Sequence, residues 1–186
     1  MRRGSLTQLL GTVEVDETYV GGKADPTAKG RSTKKKTPVV AIIQRDGEAR
    51  TRVVRSVSAK NLKQAIRDYV HIESVIMTDD FNVYKHLDEE FADHQAVKHS
   101  KNEYARGAAH VNTCESFFAL LKRGVMGSFH HVSRKHLQRY CDEFSYRWDS
   151  RKVSDQERAE AVLRLAEGKR LMYRRLTNGK AEAITN

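Results

Sequence analysis

Three stretches with strand character follow one another between Thr12 and Val57, and only after Ser58 does the pattern turn to helix and then strand. That order constrains the fold more than any other feature of the chain. Thr12–Val20 alternates, with Val13 and Val15 on one face and Glu14 and Asp16 on the other. Residues 38–44 and 50–57 read as a second and a third strand, and Arg45-Asp46-Gly47-Glu48 between them supplies hairpin turn chemistry. Three antiparallel strands are therefore expected first. Ser58-Ala59-Lys60-Asn61 then opens a helix carrying Leu62, Ala65, Ile66, Tyr69 and Val70 at helical spacing, and 74–78 follows as a short apolar strand. A strand, helix, strand unit implies parallel pairing. Residues 83–91 read as a short helix and 95–98 as a fifth, edge-like strand. The segments 112–123, 135–148 and 155–176 read as helices. The expectation is an α/β domain with a central mixed five-stranded sheet flanked by helices.

Three acidic residues, Asp16, Asp79 and Glu115, fall in segments that read strand, strand and helix. Aspartate is depleted in strand interiors, so Asp16 has little structural reason to be where it is. Asp79 and Asp80 are adjacent after a strand, where a turn or a helix cap would also use them. Glu115 belongs to Asn112-Thr113-Cys114-Glu115, a capping-box-like pattern that would send its carboxylate back to the cap's own backbone N–H. Lys122 lies seven residues beyond Glu115 and on the same helix face, so it can also address whatever Glu115 addresses. Carboxylates from three elements can hold two divalent metals against a phosphodiester, one metal activating an oxygen and the other stabilising the oxygen that leaves. Crowded together without metal, two such groups repel by up to ~4 kcal/mol at ~4 Å and an effective dielectric of ~20. Glu14 and Glu17, which flank Asp16, read as surface or hydrogen-bonding groups.

Several motifs carry a resemblance to a known family. Val13-Glu14-Val15-Asp16-Glu17-Thr18-Tyr19-Val20-Gly21-Gly22, Thr78-Asp79-Asp80-Phe81-Asn82-Val83-Tyr84 and His110-Val111-Asn112-Thr113-Cys114-Glu115-Ser116-Phe117 resemble segments of bacterial insertion-sequence transposases of the DDE superfamily. Leu121-Lys122-Arg123-Gly124, His130-His131-Val132-Ser133 and the stretch from Leu137 to Phe144 follow in the order of that group. The resemblance runs from about Gly11 to Arg151, and four ordered motifs are far more specific than any one of them. It implies an RNase H-like catalytic domain, expected over 1–152 with a helical extension over 153–186. It also implies DNA cleavage at transposon ends and transfer of the freed 3′-hydroxyl into target DNA. Asp16, Asp79 and Glu115 would be the catalytic metal ligands for two Mg²⁺ or Mn²⁺ ions, with Lys122 gripping the substrate. The partner would be DNA, with a homo-oligomer assembled on it. The position after the second ligand is usually glycine in that family; Asp80 departs from this, so Asp79 is the expected ligand and Asp80 its alternative. Two other readings stay open, an RNase H-like nuclease that does not join and a non-catalytic basic DNA-binding protein.

Charge fits the same partner. Lysine and arginine number 34 against 24 acidic residues, a net charge of +10 that favours polyanions. The connection 21–37 holds Lys34, Lys35 and Lys36 among its glycines and reads as an exposed basic loop that contacts phosphates; Lys122 and Arg123 are further candidates. No apolar run approaches the roughly 20 residues of a membrane span, and a cytoplasmic location is expected. Two cysteines, Cys114 and Cys141, are too few for a disulfide framework and read as buried thiols. Because only 15 residues precede Asp16, weak discrimination between element ends and random duplex is expected.

Overall fold

The computed structural model describes residues 7–21, 36–97 and 110–168. The chain divides into two compact units, Met1–Arg151 and Lys152–Asn186. In the first, the described elements are β1 (Thr12–Val20), β2 (Thr37–Gln44), β3 (Ala49–Val53), α1 (Ala59–Tyr69), β4 (Val75–Asp79), β5 (Asp93–Val97), α2 (Asn112–Gly124) and α3 (Leu137–Asp149). In the second, α4 (Asp155–Ala166) starts at a capping box in which Ser154 and Glu157 satisfy each other's backbone N–H groups. Among the described residues no helix is long and apolar enough to cross a membrane.

The sheet has five strands in the order β3-β2-β1-β4-β5. β1 to β3 pair antiparallel, whereas β4 pairs parallel with both β1 and β5. This is the mixed α/β arrangement of an RNase H-like core, as the element order implied. Alternation along the strands gives the sheet two apolar faces. Val13, Val15, Val40 and Ile42 pack with Leu62, Ala65 and Ile66 of α1. Val39, Ala41 and Ile43 pack with Cys114, Phe117 and Leu121 of α2 and with Cys141 and Phe144 of α3. Both thiols are buried in this second face.

Three expectations need correction. The segment 83–91 is not a helix: only Asn82–Tyr84 makes a single 3₁₀ turn. Its buried Tyr84, Leu87 and Phe91 repeat at helical spacing, but His86 sits at φ 65°, and a left-handed residue there ends any helix. β3 stops at Val53 rather than 57, and α3 starts at Leu137 rather than 135. Beyond α2 the chain continues into a π-helical turn, Val125–Phe129, which the sequence pattern did not signal.

Gly124 joins α2 to that turn under the ring of Phe144. A Cβ built there would stand 2.0 Å from Phe144 Cζ, and Phe144 is buried among core residues that hold its ring in place. Gly124→Ala is therefore expected to destabilise by ~1–3 kcal/mol, the usual range for overpacking. That corresponds to a melting temperature lower by roughly 2–12 °C for a chain of this size. A variant melting with the wild type would show that the ring yields freely.

Candidate active site

Glu14 and Asp16 share the β1 face that is covered by α2. The parallel ladder pairs Glu14 with Met77, and the same offset carried two residues on sets Asp16 level with Asp79 at the end of β4. Behind Asp79, Thr78 is tied down: its hydroxyl donates to the Asp79 carbonyl at 2.8 Å and stands 2.8 Å from Nε2 of His94 on β5. Adjacent parallel strands thus present two carboxylates side by side.

The charge of Glu115 also acts on Asp16. Burial pushes the Asp16 carboxyl up from 3.8 to about 7, and the charges of Glu17, Asp79 and Glu115 push the same way. The Glu17 backbone N–H, donating to Asp16 Oδ1 at 2.7 Å, offsets part of this. Burial also raises Glu17, as does the charge of Asp79, against a 2.6 Å hydrogen bond from the Tyr84 hydroxyl. Tyr84 is itself raised, first by burial and then by the charges of Glu17, Asp16 and Asp79. Asp80 is exposed, whereas Asp79 at the end of β4 is partly buried and its charge raises both Asp16 and Glu17.

Glu14, read from the sequence as a surface or hydrogen-bonding group, is the second of these, with partners that the sequence pattern does not reveal. It is 0% exposed, and every hydrogen bond it makes comes from a donor. Thr113 N and Cys114 N, at the start of α2, donate to its Oε2 at 2.8 and 3.3 Å. The Thr113 hydroxyl and Arg45 Nε each donate to its Oε1 at 2.8 Å. His110 Nδ1 is 3.1 Å from Oε1 but makes no hydrogen bond to it. Glu14 therefore caps α2 from β1, where an anion also complements the helix dipole. The capping box that would have occupied Glu115 is not formed; α2 has Val111 at its N-cap with no side-chain cap bond. Glu115 is exposed and takes no hydrogen bond from the described residues. One signal for Glu14 was present in the sequence, namely its place on the same face of the same strand as Asp16.

The charges of Asp79 and Glu115 both act on the buried Asp16 carboxyl, and the family comparison covers the segments that carry all three. Residues 8–149 match the family model of the ISXO2-like transposase domain. The chain belongs to this transposase family. It is 29% identical over 174 residues to an uncharacterized protein in transposable element ISH50 of Halobacterium salinarum, covering 85% of this chain and 59% of that protein. It is 27% identical over 106 residues to an uncharacterized transposase-like protein of Haemophilus influenzae, covering 57% of this chain and 85% of that one. The chain thus spans less than two thirds of the Halobacterium relative. No solved structure matches it.

In this transposase domain Lys122 is exposed near the end of α2, its Nζ 6.0 Å from the centre of the Phe118 ring, with Arg123 exposed beside it. Lys36 is partly buried just before β2, whereas Lys34 and Lys35 lie outside the described residues. The donor set of Asp16, Asp79 and Glu115 is all carboxylate oxygen, the chemistry that hard divalent cations take. The mutual repulsion that raises Asp16 is also what a bound cation would relieve. As the side chains stand, no three His, Cys, Asp or Glu residues among those described enclose a point where a metal ion would sit. The fit lies in the donor chemistry and the crowding.

Asp16 gives a pH signature independent of activity. Its folded value, about 7, lies above its ordinary 3.8, so its contribution to stability is intact below ~4 and is lost as pH rises through ~7. Asp16→Asn cannot ionise. Without divalent cation, its melting temperature relative to wild type is expected to rise between pH 5 and pH 8. A difference that does not change with pH would show that burial and neighbouring charge do not raise Asp16.

Proposed function

We propose that this chain is the catalytic core of a transposase that cuts DNA at transposon ends and joins the freed 3′-hydroxyl to target DNA. The observation that carries the reading is the electrostatic grouping of Asp16, Asp79 and Glu115 at one end of an RNase H-like sheet, in a chain of this family. Two divalent cations, Mg²⁺ or Mn²⁺, would supply activation of the attacking oxygen and stabilisation of the leaving one. Asp16 and Asp79 hold their carboxylates level on neighbouring strands, and Glu115 meets them from α2. Glu14 fixes α2 against β1, so the spacing of Glu115 from Asp16 is set by buried hydrogen bonds. Tyr84 holds the Glu17 carboxylate by its hydroxyl, keeping that charge at a fixed place beside Asp79. Lys122 positions a phosphate along the face of α2, and Lys34, Lys35, Lys36 and Arg123 contact the DNA backbone. The catalytic unit is 1–152, with 153–186 a helical extension, and the active form is a homo-oligomer on DNA.

The test is to incubate the purified chain with labelled duplex carrying an end of its element, Mg²⁺ or Mn²⁺, and a target plasmid. Cleavage leaving a 3′-hydroxyl and transfer of label to the plasmid are expected. Cleavage without transfer would identify a nuclease. No cleavage with either ion and an authentic end would contradict the reading.

A further inference from the structure

From Ser116 to Cys141 the chain holds no aspartate or glutamate, yet it carries Lys122, Arg123, Arg134, Lys135 and Arg139. All five are exposed, and none pairs with a carboxylate among the described residues. By contrast Arg45, Arg52, Arg67 and Arg147 each do. Unpaired cations thus lie on the end of α2, on the approach to α3 and in its first turn. In their midst is an apolar tip. Met126 is 75% exposed, with Gly127 and Ser128 exposed beside it.

That tip is held firmly from beneath. The Val125 N–H donates to the carbonyls of Leu121 and Lys122, and the Val125 side chain is buried. Phe129 sets its ring edge-on to Tyr140 and Phe144, with centroids 4.6 and 6.4 Å away. His130 follows at φ 56°, a conformation a non-glycine residue adopts at a cost, as turns at functional sites often do. Other exposed apolar side chains have different company: Ile72 adjoins Glu73, and Leu163 shares α4 with Glu157 and Glu160.

We infer that the surface from Lys122 to Arg139 seats duplex DNA, with Met126 as an apolar wedge that unstacks a base step. Cations that grip phosphates on both sides of an inserted apolar side chain are a known way to kink duplex DNA. The inference rests on the transposase reading and deepens it. Met126 lies in the π-helical turn directly after α2, the helix that carries Glu115, so the disturbed step would lie beyond the end of that helix from the carboxylates. A local kink there would let one strand swing towards the carboxylates.

The experiment uses the full chain and duplexes carrying 2-aminopurine at successive positions along an element end. Wild type should raise the fluorescence of a probe at one step, and Met126→Ala should abolish that rise. Arg134→Ala/Lys135→Ala/Arg139→Ala should lower the slope of log K against log salt by up to ~2.7, about 0.9 per contact. Fluorescence unchanged by Met126→Ala, or a salt slope unchanged in the triple variant, would overturn the inference. Cleavage by wild type, scored in the same mixtures, reports on the proposed function separately. Efficient cleavage with neither effect would reject the docking surface alone.

Discussion

Asp16→Asn is expected to lower cleavage and joining by at least ~10³-fold, equivalent to ~4 kcal/mol of lost transition-state stabilisation. Affinity for duplex DNA should stay within a few-fold, because it comes from the basic surface and not from the carboxylates. Glu115→Gln and Asp79→Asn should behave alike, whereas Asp80→Gly should be tolerated better, since Asp80 is exposed beyond the end of β4. Single-turnover cleavage and filter binding on the same preparations measure both quantities. An Asp16→Asn protein that cuts at the wild-type rate would remove Asp16 from the site.

Two positions earlier on the same strand the effect should fall on stability. Glu14 is surrounded by donors, Arg45 Nε, the Thr113 hydroxyl and two backbone N–H groups, so only an ionised carboxylate accepts all four. Glu14→Ala leaves the guanidinium and the first turn of α2 without an acceptor. Loss of one partner from such a buried pair costs ~3–5 kcal/mol, a fall in melting temperature of roughly 6–20 °C. Glu14→Gln keeps one oxygen but turns an amide towards donors, and should fall in between, at ~1–3 kcal/mol. Asp16→Asn, by contrast, should melt higher at pH 8 than wild type. Scanning calorimetry of the three variants checks the ordering, and a Glu14→Ala protein as stable as wild type would show that α2 needs no cap from β1.

The sheet was legible because its strands announce themselves locally. β1 alternates in residue type from Val13 to Asp16, β2 is buried on both faces, and Ser58 caps α1 from its own neighbourhood, accepting from Asn61 N. The 83–91 segment misled because buried side chains at helical spacing do not require a helix; turns can bury Tyr84, Leu87 and Phe91 as well. Asp16, Asp79 and Glu115 drew notice as candidates because each lies in a well-marked element, Asp16 inside β1, Asp79 at the end of β4 and Glu115 in the first turn of α2. Glu14 could not be understood the same way. Its partners Arg45 and Thr113 are 31 and 99 residues distant, and nothing near it in the chain reveals them. The capping-box pattern at Asn112 likewise pointed to a local cap where the fold supplies a remote one.

The central claim is that Asp16, Asp79 and Glu115 form one divalent-cation site. Mn²⁺ binding to the DNA-free protein, followed by the loss of the free-ion electron paramagnetic resonance signal, tests it without reference to activity. Wild type should bind Mn²⁺ with an affinity that increases from pH 6 to pH 8 as Asp16 ionises, and Asp16→Asn, Asp79→Asn and Glu115→Gln should each bind at least tenfold more weakly. Equal binding by wild type and all three variants would contradict the account.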